Sequence, residues 1–225
     1  MSRTGVILAG LVAAGERRVT RDIPDIAVSR LPLYLRAVGH LESNGQQITS
    51  SKELAAILGS SAAQIRKDLS HFGEFGKQGT GYHVSHLNKQ LRRILHADLV
   101  WDVVLVGAGD LGNALLHNQG MTRRGYRIVA AFDHNPEKVG TRIGNVIIQN
   151  NQRMRDEIQQ RTIRLAIIAV PPPAAQHVAH QLVEAGVKAI LNYSPIALSV
   201  PDDVMVQYID PVTHLQHMTY YLQDR

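Results

Sequence analysis

The run Gly107-Ala108-Gly109-Asp110-Leu111-Gly112 constrains this chain more than any other segment. Alone, such a spacing of glycines arises by chance; its neighbours give it meaning. Trp101 to Val106 is an apolar stretch of strand length, broken only by Asp102, and it runs straight into the first glycine. Ala114, Leu115 and Leu116 then continue as helix. A second apolar stretch, Arg127 to Phe132, ends in Asp133, about 20 residues past the last glycine. This order of strand, glycine turn, helix, strand and acid predicts a pyrophosphate site. Gly107 permits the tight turn, Gly109 lets the backbone approach the phosphates, and Gly112 lets the helix close on the strand. The helix start supplies free amides and the positive end of a dipole; Ala108, Asp110 and Leu111 complete the loop. Asp133 is placed to hydrogen-bond a ribose diol and to repel a 2′-phosphate, which favours NAD(H) over NADP(H).

The residues that follow fit a parallel sheet. Leu165 to Val170 reads as a strand, Pro171-Pro172-Pro173 breaks it, and residues 174–185 form a helix that Gly186 ends. Lys188 to Leu191 is a further strand. Strands alternating with helices argue a doubly wound α/β domain, Rossmann-like, over residues 97–209. Val170, Pro171 and Asn192 then fall at the carboxyl edge of the sheet, where ligands bind in such folds. Val204 to Ile209 is the last strand. Asp210-Pro211 is an N-cap followed by a first-turn proline, opening a terminal helix over residues 210–225 with Val212, Leu215, Met218 or Thr219, and Leu222 on its apolar stripe. That helix needs another surface to cover it. His177 and His180 share a helix face but lack carboxylate partners at ligand spacing, so no metal is expected.

The first half differs in charge. Residues 26–96 carry nine Lys/Arg against four Asp/Glu, whereas residues 97–225 carry eleven against twelve. A local basic excess is the footprint of a nucleic-acid module. The pattern predicts a winged helix-turn-helix. Ser29 caps a helix to about Ser43, with Pro32 in its first turn and Leu31, Leu35, Val38 and Leu41 inward. Ser50-Ser51-Lys52-Glu53 is a capping box opening a short helix that Gly59 ends, and Ser61-Ala62-Ala63-Gln64 opens a third, to about His71. On this third helix Ala62, Ile65, Leu69 and Phe72 face inward. Ser60, Gln64, Lys67 and His71 lie opposite, with Ser70 nearby and Arg66 flanking; Asp68 points sideways, within reach of Arg66. Gln pairs with adenine and Lys reaches guanine. Gly73 to Tyr82 reads as a glycine-rich β-hairpin, a wing with Lys77 at its tip and Tyr82 at its base. A helix from Ser85 to His96 follows. The DNA-contacting set is thus Ser60, Gln64, Arg66, Lys67, Ser70, Lys77 and Tyr82.

Other features narrow the setting. The chain has no cysteine, which excludes disulfides, thiolate metal sites and cysteine nucleophiles. No apolar run reaches about 18 residues, the length of a membrane helix. Arg3 and the apolar run Gly5 to Gly15 have the outline of a signal peptide, but Glu16-Arg17-Arg18 follow without a small-x-small site. A disordered extension over residues 1–25 is the favoured reading; a translation start near Val19 is another.

The whole pattern resembles the Rex family of redox-sensing transcriptional repressors. The resemblance runs from about Ile23 to Leu222. It is carried by Ser29-Arg30-Leu31-Pro32-Leu33-Tyr34, by Gln64 through Gly73, by Gly76-x-x-Gly79-x-Gly81-Tyr82, by the glycine loop and by Ile190-Leu191-Asn192. It implies a cytoplasmic homodimer with exchanged C-terminal helices. It also implies binding to an inverted-repeat operator on double-stranded DNA, with NAD⁺ or nothing bound, and release when NADH binds. Family members commonly carry a tyrosine near the nicotinamide where Asn118 aligns here. Two further classes stay open. A dehydrogenase would share the glycine loop but needs an acid–base pair beside it, and none is evident; the chain is not expected to be an enzyme. A CoA-binding regulator would share the sheet, but Asp133 suits a dinucleotide ribose better.

Overall fold

The computed structural model describes residues 23–76 and 80–222. Two compact units divide at Leu99/Val100. The extension assigned to residues 1–25 lies almost wholly outside the described residues, as does Lys77.

The first unit opens with α1 (Asp25–Ser43), a turn earlier than its sequence suggests. Pro24 takes the N-cap position and Asp25 sits in the first turn, favourable at the positive end of the helix. Ser29 does not cap. Its hydroxyl donates to the Ile26 carbonyl at 3.0 Å, within the helix. Pro32 therefore lies in the helix interior, where its ring removes one backbone donor. Buried Leu31, Tyr34, Val38 and Leu41 hold the helix together across that gap.

The strand β1 (Ile48–Thr49) precedes α2 (Ser51–Leu58), α3 (Ala62–Ser70), β2 (Tyr82–His83) and α4 (Val84–Ile94). Both predicted caps form: Ser50 Oγ accepts from the Glu53 amide and Ser61 Oγ from the Gln64 amide, each at 3.1 Å. Gly59 stops α2 in the left-handed region at φ 62°. The predicted wing is different in kind. Tyr82 pairs antiparallel with Thr49, so the strand partner of β2 lies between α1 and α2 and not across the glycine-rich tip. Among the described residues no strand lies between α3 and that tip. Phe75 is buried in the helical core instead, drawing the segment inward where a two-sided hairpin would expose it. The core joins Leu31, Leu54, Ile65, Leu87 and Leu91, all fully enclosed, and each such burial contributes about 1.5–3 kcal/mol.

The second unit runs β3 (Trp101–Val106), α5 (Asp110–Leu116), α6 (Gln119–Arg123), β4 (Tyr126–Asp133), β5 (Arg142–Ile143), β6 (Val146–Asn150), α7 (Met154–Arg161), β7 (Leu165–Ile168), α8 (Pro172–Ala185), β8 (Ala189–Asn192), β9 (Met205–Tyr208) and α9 (Pro211–Tyr220). The sheet order is β5-β6-β4-β3-β7-β8-β9. Every neighbouring pair is parallel except β5 with β6. The chain builds outward from β3 through β4 to β6, then crosses back to β7, which makes the β3/β7 edge the switch point of the sheet. Alternate residues serve its two faces: Val104 and Val106 join Ala175 and Leu182 of α8, while Val103 and Leu105 join Leu115 of α5. This two-sided burial explains why the central strands read as unbroken apolar runs.

Candidate functional site: a glycine loop and a helix-turn-helix

The loop after β3 is held by its neighbours. The Gly107 amide donates to the Phe132 carbonyl and the Ala169 amide to the Val106 carbonyl, both at 2.8 Å, so the loop starts between the ends of β4 and β7. Gly107 has φ 99°, and a Cβ there would lie 2.4 Å from the Ala169 carbonyl oxygen and 2.9 Å from Val170 Cγ1. A Cβ on Gly112 would fall 1.9 Å from the Gly107 carbonyl oxygen. Gly112 thus closes α5 onto the loop itself. Gly109 contrasts with both: no atom lies within 4 Å of a Cβ built there. Gly109 is open, and the two glycines that face protein are closed.

Asp133 is 5% exposed. Its Oδ2 accepts the Ala108 amide at 2.8 Å and its Oδ1 the Asn135 amide at 2.9 Å. Lys138 Nζ stands 3.6 Å and His134 Nδ1 3.4 Å from the same carboxylate. Burial by itself would raise this carboxyl. The Asn135 and Ala108 amides, with Lys138 and His134 beside it, hold it below the usual range. Its first task is to anchor the glycine loop, which the sequence did not disclose. Val170 and Pro171 follow β7, with Pro171 at the N-cap of α8. Asn192 ends β8. It is fully enclosed, and its amide is committed to its own turn: Oδ1 accepts from the Ser194 amide, and Nδ2 donates to the Ser194 and Ile196 carbonyls. It shapes the turn after β8.

In the first unit, α2 and α3 form the helix-turn-helix. The exposed side of α3 is Ala63, Arg66, Lys67 and Ser70, with Gln64 and His71 half-buried at its margins. Ser60 is exposed in the turn before it. Arg66 Nη1 donates to Ser51 Oγ at 3.0 Å, which ties α3 to the start of α2. Ser70 Oγ donates back to the Lys67 carbonyl at 2.7 Å. Tyr82 is half-buried against the core, and burial raises its hydroxyl pKa although Arg66 pulls it down. Asp68 does not pair with Arg66. It is 1% exposed and turns inward, because its position on the helix belongs to the face packed on α1. There it accepts Arg30 Nε and Nη2 at 2.6 and 2.7 Å, the Tyr34 hydroxyl at 2.6 Å and Gln64 Nε2 at 2.7 Å. Burial alone would raise this carboxyl, and the bonds from Arg30, Tyr34 and Gln64 outweigh it, so the carboxylate is held below its usual range.

Comparison with known proteins matches both units. The family model described as a putative DNA-binding protein N-terminus covers residues 22–70, and that of a CoA binding domain covers residues 99–196. The redox-sensing transcriptional repressor Rex of Chloroflexus aggregans is 51% identical over 199 residues, 88% of this chain and 94% of that protein. The Brevibacillus brevis protein of the same name is 42% identical over 200 residues, 89% of this chain and 97% of its own.

The chain belongs to the Rex family.

Solved Rex-family structures superpose on it. RSP in complex with β-NAD⁺ and operator DNA matches with a TM-score of 0.86 at 36% identity, covering 91% of this chain and 94% of that one. RSP in complex with β-NADH matches at 0.83 and 34%, covering 91% and 96%. Within this Rex-family chain, Asn118 is the N-cap of α6: its Oδ1 accepts the Gly120 amide at 2.9 Å.

Proposed function

We propose that this chain is a DNA-binding transcriptional repressor that senses the NADH/NAD⁺ balance and leaves its operator when NADH binds. The observation that carries the reading is the pairing, in one Rex-family chain, of an open glycine loop at the sheet's switch point with a polar, basic face on α3. Relatives of known structure hold β-NAD⁺ with operator DNA, and β-NADH. The loop Gly107–Gly112 would hold the pyrophosphate, with Gly109 giving close backbone approach and the α5 amides facing the anion. Asp133 fixes Ala108 beneath it and turns its remaining lone pairs toward a ribose. Val170 and Pro171 line the opposite lip. Lys67, Arg66, Ser60, Ser70 and Gln64 would meet the major groove, and Lys77 and Tyr82 the backbone beside it.

The chain acts as a homodimer, because a repressor reading an inverted repeat presents one recognition helix to each half-site. The apolar side of α9, with Val212, Leu215 and Met218 all more than half exposed in a single chain, supports that assembly. Its relatives are named as repressors, which supports reading the dinucleotide as a signal and not a substrate. The setting is the cytoplasm, where DNA and NADH meet. No described helix is long and apolar enough to cross a membrane.

The match to a CoA binding domain keeps one alternative ligand in view. Titration calorimetry with NADH, NAD⁺, NADPH and CoA separates them. NADH is expected to bind most tightly, and tight binding of CoA with none of NADH would overturn the reading.

A further inference from the structure

The buried carboxylate of Asp68 has a consequence for what α3 reads. A carboxylate only accepts hydrogen bonds. Gln64 sits one turn before it and places Nε2 2.7 Å from Asp68 Oδ1. The amide of Gln64 therefore has one allowed polarity: its NH₂ end faces Asp68 and its carbonyl faces away. Turning it over would set two acceptors against each other in a nearly dry site. Asp68 cannot swing aside, because Arg30 and Tyr34 grip it from α1 with three bonds of 2.6–2.7 Å. Among the described residues, Gln64 Oε1 has no partner. Gln64 is half-exposed in the first turn of α3, the turn from which recognition helices meet base edges.

We propose that Asp68 is a positioning residue for sequence reading: held by Arg30 and Tyr34, it fixes the Gln64 amide so that Gln64 offers its carbonyl to an amine-bearing base, adenine or cytosine. Adenine N6 and cytosine N4 are donors in the major groove, whereas guanine O6 and N7 and thymine O4 are acceptors. A free glutamine adapts to either kind by flipping. A glutamine locked by Asp68 does not, so the ion pair between α1 and α3 becomes a specificity element without touching DNA. This inference rests on the DNA-binding reading above.

The test is selection from a pool of duplexes randomised across two half-sites, with the intact chain, Gln64→Met, Asp68→Asn and Lys67→Ala. The intact chain is expected to enrich adenine or cytosine at one position of each half-site. Gln64→Met should lose the preference at that position alone, the discrimination against a keto-bearing base there falling from about tenfold or more to near unity. Asp68→Asn should lower the same discrimination, because an asparagine no longer dictates which end of the Gln64 amide faces it. A purely structural role for Asp68 would weaken binding to all sequences alike and leave the preference intact. Lys67→Ala should relax a different position. The proposal is overturned if Gln64→Met keeps the full consensus, if the position it relaxes carries guanine or thymine, or if a folded Asp68→Asn discriminates as well as the intact chain. Gln64→Met changes a half-exposed side chain and keeps the test decisive should Asp68→Asn not fold. Failure of the intact chain to enrich any sequence overturns the DNA-binding reading itself, and this one with it.

Discussion

At the scale of single residues, the glycine loop separates folding from binding. Gly112→Ala drives a Cβ into the Gly107 carbonyl, an overpacking that costs about 1–3 kcal/mol or more, and should lower the melting temperature of the chain. Gly109→Ala meets no protein atom and has ordinary backbone angles. It should leave melting unchanged and weaken NADH binding about tenfold or more, since the methyl occupies space that a pyrophosphate needs. Calorimetry paired with thermal melts checks both. Equal melting loss in the two variants would mean that Gly109 is structural.

Asp68 and Tyr34 give two pH limbs. The folded pKa of Asp68 lies below its unfolded value, so its contribution is complete above about pH 4 and is lost as the pH falls through the folded value. Removing this buried partner of Arg30 and Tyr34 leaves both short of an acceptor, at a cost of about 2–4 kcal/mol. Asp68→Asn should thus melt lower at neutral pH and lose less on acidification. Burial first, and then the bond to Asp68, push the Tyr34 hydroxyl up to about 12. Its contribution is complete below about pH 10 and lost as the pH rises toward that value, so Tyr34→Phe should flatten the alkaline limb. Melting curves against pH test both. The glycine loop was legible because its rule is local: each glycine's neighbours lie within a short stretch of sequence. Asp68 was not, because a mid-helix acid next to Arg66 reads as solvated, and its partner Arg30 lies on another helix.

At the scale of elements, legibility followed length and capping. The helices α2 and α3 declared themselves through Ser50 and Ser61, whose caps form as read. The central strands did so through apolar runs that only two-sided burial allows. The start of α1 misled, because Ser29 before an apolar run has the look of a cap while Pro24 and Asp25 begin the helix. The elements α6, β5, β6 and α7 are too short to show a clear period, and β5 is a pair of residues joined to β6 by Gly144-Asn145. The terminal α9 was legible from Asp210, whose Oδ1 accepts the Val212 amide at 2.9 Å. A helix of ten residues is marginal alone in water and needs a surface for its apolar side. Leu215→Asp should therefore convert a dimer into a monomer, read by sedimentation velocity. A variant that stays dimeric would place the interface elsewhere.

At the scale of the whole molecule, a ligand releases DNA only by favouring the arrangement that binds DNA poorly. NADH and operator are then linked reciprocally: whatever factor NADH takes from operator affinity, operator takes from NADH affinity, about 5- to 150-fold for typical couplings. The loop and the recognition helix are far apart in the sequence and belong to separate compact units, so a variant of one should leave the intrinsic affinity of the other untouched. The most direct measurement is operator binding by fluorescence anisotropy while NADH or NAD⁺ is added, with the intact chain and Gly109→Ala side by side. The account predicts release by NADH and retention with NAD⁺. It also predicts equal operator affinity of the two proteins without ligand, and about tenfold or more NADH needed to release Gly109→Ala. An operator complex that survives saturating NADH would contradict it.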